Sequence, residues 1–359
     1  MPNKIRLLKD PRQDIVTYLK RSWMLYLMLA LPVAFFVIFR YIPMANIVIA
    51  FKNYNLIGGP WITNDALVSK GILLDYCTGA PHDPNCGHWV GLDWFMKAFS
   101  DGAFWRAVRN TLMLNILDLV IGFPAPIILA LVLNELIFQK FKKVTQTIIY
   151  LPHFLSWIIV SSMATRLLAP TNGVINIFLV ETFSRMCEVH QSLGVAHVSG
   201  CPDCNIVQPI NFLMNNANWI GTYITFGVWK EMGWGTIIYL AAITGINPEL
   251  YEAAEVDGAG RWRKLWHITL PGIRPTIVVL LIMNIGRILG IEFDRPFTMA
   301  NRVVMEVADV ISTLVYRVGI LNWQYSYTAA VGLFQSIICV VFLIGANTLA
   351  KRFGERGIW

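Results

Sequence analysis

The stretch "YEAAEVDGAGRWRKLWHITLP", Tyr251–Pro271, is the most charged long segment in the second half of a chain that is otherwise mostly apolar. Just before it, Asn247-Pro248-Glu249 combines an N-cap residue, a proline suited to the first helical position and a carboxylate in the first turn. Gly258 fits a left-handed stop about ten residues later. The pattern predicts a short helix over residues 248–257.

A second helix is predicted to resume with Trp262, before Leu270 and Pro271 turn the chain into an apolar span. A helix of about two turns is marginal alone and needs a surface to pack against. Two interpretations stay open on periodicity alone. The short helix either docks on a partner protein, which its small alanines allow to come close, or lies on the lipid headgroups.

The composition excludes an ordinary water-soluble domain. Of 359 residues, 56% are hydrophobic and 14% charged, whereas about a quarter are charged in soluble domains. Crossing a bilayer takes roughly 20 apolar residues, and six runs approach or exceed that length. We therefore predict an all-α polytopic membrane protein with six transmembrane helices, around Trp23–Phe39, Asn110–Leu133, Val144–Leu168, Trp219–Thr244, Arg274–Ile291 and Tyr325–Ala350.

The distribution of Lys and Arg predicts the orientation. The segments 1–22, 134–143, 245–275 and 350–359 carry sixteen of them, whereas the alternating, longer loops carry eight. Both termini and the charged elbow are therefore expected in the cytoplasm, and the formal charge of +7 is no indication of nucleic-acid binding. This predicts an interfacial segment 1–22, a transmembrane domain 23–350 and a tail 351–359, with outer loops 43–104 and 169–218 and a charged inner loop 245–273.

The charged elbow resembles a known family motif. Glu252-Ala253-Ala254, Gly258, Ile268, Leu270 and Pro271 resemble the "EAA" loop of binding-protein-dependent ABC importer permeases, and "NPELYEAAEVDGAGRWRKLWHITLPGIRPT" is similar to their sugar and polysaccharide (maltose-permease-like) branch. The resemblance extends to "FWRAVRNTL", "GFPAPIILALVLNEL", "YLPHFLSW", "WKEMGWGTIIYLAAITGI" and "VADVISTLVYRVGI". It covers most of the chain from Tyr26 onward.

The resemblance implies a role for the elbow. It implies a coupling helix held in a groove of a cytoplasmic ATPase subunit, with Glu252, Ala253, Ala254, Asp257, Gly258, Leu270 and Pro271 as the coupling residues. It also implies a second, homologous permease subunit, a pair of ATPase subunits and an extracellular solute-binding protein. The chain has no GxxxxGK[ST] phosphate cradle, so ATP and Mg²⁺ are expected on the partner subunits.

Charged and aromatic residues within the spans are candidates for the solute path. Lys230, Glu231 and Arg287 are costly to place in a membrane and usually face a bundle interior or an aqueous path; an ion pair that locks helices together is the alternative. Lys230 and Glu231 are adjacent, so we expect them not to face each other. Trp234 and Tyr239 offer flat faces for sugar rings, although such aromatics more often pack. Trp234, Tyr239 and Arg287 are the path candidates, and Arg287 would suit acidic oligosaccharides.

Five of the six cysteines lie in the predicted outer loops. Disulfides are the default outside the membrane, but five cysteines cannot all pair within one chain. Zinc is the alternative, since Cys187-x2-His190 and Cys201-x2-Cys204 form a plausible tetrahedral set. The first loop contains a looser set: Cys77, His82, Cys86 and His88.

Two other function classes remain as hypotheses. A membrane enzyme with an extracellular metal site lacks an HExxH-like constellation on a helix. A secondary transporter driven by an ion gradient would be expected to show internal repeats and midplane helix breaks. The coupling-helix resemblance favours neither.

Overall fold

The computed structural model describes residues 22–54, 89–182, 209–354 and 357–358, and the regular elements within them are helical. The helices are interrupted by π segments at Val37–Tyr41, Asp118–Gly122, Leu265–Thr269 and Tyr316–Leu321, and by 3₁₀ turns at Asn46–Phe51 and Leu151–Phe154. In chain order the α-helices with both ends in the described residues are α1 (Trp23–Phe36), α2 (Ile42–Ala45), α3 (Asp93–Ser100), α4 (Gly102–Leu117), α5 (Pro124–Asn134), α6 (Gln139–Tyr150), α7 (Trp157–Leu167), α8 (Asn216–Thr244), α9 (Pro248–Val256), α10 (Arg261–Lys264), α11 (Leu270–Ile285), α12 (Asp294–Met299), α13 (Met305–Ala308), α14 (Ile311–Val315) and α15 (Tyr325–Arg352). Residues 174–182 are also helical.

The chain divides into two compact units. The first comprises Met1–Trp94 with Tyr325–Ala330. Its main element is a continuous apolar helical stretch, Trp23–Phe51. The most apolar part of this stretch has no buried residue. Near the end of this stretch the Tyr54 amide donates to Ser326 Oγ at 2.9 Å. Such an all-apolar helix surface is typical of a segment surrounded by lipid or by other membrane helices.

The second unit comprises Phe95–Gln324 with Val331–Trp359, and α8 runs through it. The buried rings of Trp219 and Tyr223 on α8 belong to one cluster of its core, and Tyr239 on the same helix belongs to another cluster, the Tyr239 cluster, with Ala130, Ile243 and Ile273. Two glycines let neighbouring helices approach α8 closely. A Cβ on Gly233 would collide with the backbone of Ile149, and a Cβ on Gly235 would press on Pro126. These contacts agree with the packed bundle that glycines inside a membrane helix require.

The predicted count of six spans is confirmed only in part. Four helical stretches in the described residues are long and apolar enough to cross a membrane: Trp23–Phe51, Gly102–Asn134, Arg261–Ile285 and Tyr325–Arg352. A fifth is obtained if the bent pair α6–α7 is one span. Helix α8 has 29 residues and is long enough, but Lys230, Glu231 and several Asn and Gly residues lower its hydropathy.

The predicted third span, Val144–Leu168, is not one straight helix. The stretch Gln139–Phe154 and helix α7 meet at 101°. Pro152 lies in the 3₁₀ turn between them, and Ser156 begins α7 by accepting a hydrogen bond from the Ile159 amide. Because proline removes a backbone donor and Ser caps a new helix, the chain turns here.

Candidate functional site

A cavity of about 510 Å³ opens in the second unit, and all three predicted path residues line it. Trp234 is 47% exposed and presents its indole to this space. Tyr239 is only 2% exposed and packs in a buried cluster with Ala130 and Ile273. The structure therefore brings the three candidates together, and Trp234 offers far more free surface than Tyr239.

Arg287 lies just beyond the end of α11, outside the regular helix. The predicted span Arg274–Ile291 is wrong at this end, because α11 stops at Ile285 and short turns follow. In these turns the Arg287 amide donates to Asn284 O at 3.0 Å. Arg287 lines the cavity, and within the described part of the chain its guanidinium has no carboxylate within ion-pair distance.

A second arginine, Arg295 on α12, has both of its Nη groups bound to protein partners. Its Nη1 donates to Asp118 Oδ2 at 2.6 Å and its Nη2 to Asp118 Oδ1 at 3.1 Å. Nη2 also donates to Tyr223 O at 2.8 Å. The guanidinium lies over the Tyr223 ring at 3.8 Å and the Trp157 ring at 5.2 Å. Arg295 thus connects four elements: α12, α8, α7 and the π segment Asp118–Gly122.

Lys230 and Glu231 also form a closed set of contacts. Lys230 Nζ lies 2.9 Å from Glu231 Oε1 and donates to His153 O at 3.2 Å. Glu231 Oε2 lies 3.0 Å from His153 Nδ1. The expectation that these adjacent side chains do not face each other is wrong, since the flexible lysine stem folds back along the helix. The alternative of a structural ion pair describes Lys230 better than a solute contact does.

The charged residues that line the cavity therefore differ in whether they already have a protein partner or can bind a solute. Asp118 is neutralised by Arg295, and Glu231 by Lys230. Glu292 accepts a hydrogen bond from Trp157 Nε1 at 3.3 Å. Arg287 is the cation on the described cavity wall that lacks an anionic partner, which leaves it free to pair with a solute carboxylate.

Sequence analysis missed the ion pair of Arg295 and Asp118. Arg295 lies between the predicted spans Arg274–Ile291 and Tyr325–Ala350, whereas Asp118 lies within the predicted span Asn110–Leu133. A lone carboxylate inside a predicted span is itself a sign of a buried partner. That sign was available for Asp118, but the identity of its partner was not.

The predicted coupling helix is confirmed as a helix. Asn247 Oδ1 accepts from the Glu249 amide at 3.1 Å, and α9 spans Pro248–Val256. Gly258 has φ +73°, as predicted. Its amide donates to Glu255 O at 3.1 Å, and the next amide, of Ala259, donates to Ala254 O at 2.8 Å. These two bonds form a Schellman motif.

Helix α9 exposes most of its surface to solvent in this chain, and none of its residues is buried. Glu252, Ala253 and Asp257 are exposed, and Ala254 is half-buried. A hydrogen bond of 3.0 Å between Tyr251 Oη and the buried hydroxyl of Thr269 ties α9 to the following helix. The geometry gives a short helix with a fixed base and an open outer face.

The expected turn at Leu270 and Pro271 is wrong. Arg261–Ile285 is one helical stretch, in which the π segment Leu265–Thr269 precedes Pro271. A π turn shifts the hydrogen-bond pattern, so proline is accommodated without a break. Leu270 packs against the buried cluster that contains Ile243 and Ile273, and this packing anchors the elbow.

The proposed zinc ligands Cys187, His190, Cys201 and Cys204 lie outside the described residues, as do Cys77, His82, Cys86 and His88. Within the described residues, no group of three or more His, Cys, Asp or Glu side chains could hold a metal ion. The choice between zinc and disulfides in the outer loops therefore stays a prediction.

Known proteins resemble this chain over nearly its whole length. The family model "Binding-protein-dependent transport system inner membrane component" matches residues 122–355. The permease protein YteP of the polygalacturonan/rhamnogalacturonan transport system of Bacillus subtilis (strain 168) is 40% identical over 98% of this chain and 95% of its own length. Protein LplB of the same organism is 40% identical over 95% and 92%, respectively.

Two solved structures agree with this assignment. A bacterial ABC transporter involved in import of the acidic polysaccharide alginate contains a chain 35% identical to this one, with a TM-score of 0.72, over 94% of this chain and 99% of that chain. The alginate transporter in complex with its pentasaccharide-bound periplasmic protein gives 34% and a TM-score of 0.73. The prediction of an importer permease is confirmed, and neither the secondary transporter nor the membrane enzyme is favoured. The chain belongs to the family of binding-protein-dependent transport system inner membrane components.

Proposed function

We propose that this chain is a permease subunit that imports acidic oligosaccharides, and that the solute passes the cavity lined by Trp234, Tyr239 and Arg287. The observation that carries the proposal is that Arg287, which has no carboxylate partner in the described residues, lines the same cavity as the half-exposed Trp234. A uronate residue presents a carboxylate and a sugar ring with apolar CH groups. These two groups match the two side chains.

Arginine suits this role better than lysine does. Its planar guanidinium can donate two parallel hydrogen bonds to a carboxylate. An arginine without a protein partner is costly at membrane depth unless it faces water or a ligand. Arg287 therefore fits a wet path that carries anions.

The names of the relatives support an acidic substrate. The transport system of YteP is named for polygalacturonan and rhamnogalacturonan, and one structural neighbour imports alginate. These polymers contain uronic acids. We extend that chemistry to this chain, whose cavity has a cation in a suitable place.

Import requires partners that supply energy and solute. We infer a second permease subunit, two cytoplasmic ATPase subunits that bind ATP and Mg²⁺, and an extracellular solute-binding protein. The exposed face of α9 would lie in the groove of one ATPase, with Glu252 held by a basic group there. Closure of the ATPases would then move α9 and the spans joined to it. The affinity of the path for the solute would differ between the inward-open and outward-open states.

We further infer that the chain lies in the cell membrane with both termini and α9 on the cytoplasmic side. The asymmetry of Lys and Arg between alternating loops supports this orientation. Labelling of single cysteines introduced at residue 3 and at residue 253 with a membrane-impermeant reagent tests it. Reaction in intact cells, rather than only after permeabilisation, would contradict the orientation.

The central experiment compares solutes in proteoliposomes that contain the complete importer. We expect ATP-dependent uptake of a galacturonate trimer, and little uptake of a neutral glucose trimer. In the Arg287→Ala variant, uptake of the acidic trimer should fall by about tenfold or more, as expected for a lost charge-assisted pair. Arg302→Ala, which removes an exposed arginine away from the cavity, should transport normally. Equal uptake of both trimers by the wild type would overturn the acidic specificity.

A further inference from the structure

The indole of Trp234 is backed by the imidazole of His153. The two ring centroids lie 4.7 Å apart and the ring planes differ by 6°. Trp234 lies on α8, whereas His153 lies in the 3₁₀ turn Leu151–Phe154, at the bend between α6 and α7. Trp234 lines the cavity, and His153 is outside the set of described residues that line it. The imidazole therefore covers one face of the indole and leaves the other toward the open space.

His153 is itself held in place by two charged residues. Glu231 Oε2 lies 3.0 Å from His153 Nδ1, and Lys230 Nζ donates both to Glu231 Oε1 and to His153 O. Because Glu231 and Trp234 are three residues apart, they lie on the same face of α8. His153 spans that face, contacting one residue with its ring edge and the other with its ring plane.

Lys230 holds both Glu231 and the His153 backbone in place. It is only 6% exposed, and its Nζ lies 5.0 Å from the centroid of the Trp157 ring. A buried lysine is retained where its charge is paired and its donors are used, and both conditions are met here. Lys230 is therefore fixed by its contacts, the His153 imidazole is held in one orientation, and one face of the Trp234 indole stays open.

We propose that His153 and Glu231 are positioning residues that hold Trp234 as a rigid platform for a sugar ring in the path. This inference rests on the proposed function, because it takes the cavity to be the solute path. A large side chain that is already immobilised loses less conformational entropy when a ligand stacks on it. The same contacts could simply fasten α8 to the turn, and the two roles make different predictions for solute binding.

The test measures binding of a galacturonate trimer to the detergent-purified assembly of this chain and its partner subunits, by isothermal titration without the solute-binding protein. Trp234→Ala should weaken binding by roughly three- to tenfold, and His153→Ala by a comparable factor. Glu231→Ala should act in the same direction, because it frees the imidazole. Glu231→Gln, which keeps an acceptor for Lys230, should restore most of the affinity.

A double-mutant cycle separates positioning from a structural role. If His153 acts through Trp234, adding His153→Ala to Trp234→Ala should cause no further loss of affinity. Trp105→Ala removes an indole of similar exposure, 50%, away from the cavity and should leave binding unchanged. Multiplying losses in the double variant, or unchanged affinity in His153→Ala, would overturn the inference.

Failure of this inference is distinguishable from failure of the proposed function. Wild-type assembly that neither binds nor imports the trimer contradicts the proposed function itself. Wild-type assembly that imports the trimer, while Trp234→Ala and His153→Ala bind it normally, contradicts the platform and the sugar contact of Trp234, but not the import of acidic solutes.

Discussion

Arg295 and Asp118, 177 residues apart in the sequence, form a bidentate ion pair beside the cavity. The Arg295 side chain is 11% exposed and the Asp118 side chain 28%. The guanidinium also lies directly against Gly227 of α8, where a Cβ would collide with it. The pair thus joins the π segment Asp118–Gly122 to α8 and α12, and it keeps one of the two cavity arginines unavailable to a solute.

Adding a methyl group at Gly227 should break this arrangement. We expect Gly227→Ala to displace the guanidinium and to lower the melting temperature of the detergent-purified chain. Disrupting one side of a buried pair costs about 3–5 kcal/mol, and the partial exposure of Asp118 puts the expected loss at the lower end of that range. Differential scanning fluorimetry measures the shift.

Gly221→Ala is the matched control for this experiment. It makes the same change on the same helix, at an exposed position where a Cβ would meet nothing within 4 Å. Since alanine also favours helix over glycine, its melting temperature should be unchanged or slightly higher. Equal effects of the two variants would mean that the ion pair does not depend on the space at Gly227.

Local signals in the sequence predicted the elbow well. Asn247, Pro248 and Gly258 each act on neighbouring backbone atoms, so cap, first turn and stop could be read without tertiary information. The turn expected at Pro271 does not form, because the preceding π segment accommodates the proline within the helix.

Long-range relationships could not be predicted in the same way. The partner of Asp118 is decided by how α12 packs, and the stacking of His153 on Trp234 depends on the bend after Pro152. The contact between Lys230 and Glu231 depends on how the flexible lysine side chain bends, which their adjacency in the sequence does not determine. Trp234 and Arg287 were predicted as path residues from their residue types alone, and the fold places both on the same cavity.

The outer-loop cysteines allow a prediction about sulfur chemistry. With five cysteines in the two predicted outer loops, at least one cannot form an intrachain disulfide. We expect at least one of them to react with iodoacetamide in denatured protein without reductant, as mass spectrometry of peptides would show. Zinc bound in a one-to-one ratio, with Cys187, Cys201 and Cys204 becoming reactive only after a chelator removes it, would instead support the metal set.

Gly258 is expected to be sensitive to substitution because of its backbone. Its φ of +73° is strained for any residue with a Cβ, by roughly 1–2 kcal/mol, and alanine there would favour a different end to α9. We expect Gly258→Ala to reduce uptake in proteoliposomes while the chain remains folded. Gly260→Ala is the control, since Gly260 has an ordinary φ of −69° and space for a Cβ. Normal uptake by both variants would show that the shape of this turn is unimportant for transport.

Glu252 is expected to matter for coupling and not for folding. Its side chain is exposed on α9, and none of the residues of that helix is buried, so Glu252→Ala should leave the melting temperature of the isolated chain unchanged. In the complete importer, loss of a charge-assisted contact with an ATPase should lower the number of solute molecules imported per ATP hydrolysed by about tenfold.

The control for Glu252 is Glu255→Ala on the same helix. Glu255 is 76% exposed and pairs weakly, at 3.7 Å, with Lys264 of this chain, and surface pairs of this kind contribute little. We expect its variant to retain the wild-type ratio of uptake to ATP hydrolysis. If Glu252→Ala also retains that ratio in proteoliposomes, the carboxylate does not transmit the motion of the ATPase, and the coupling role of α9 must rest on its shape alone.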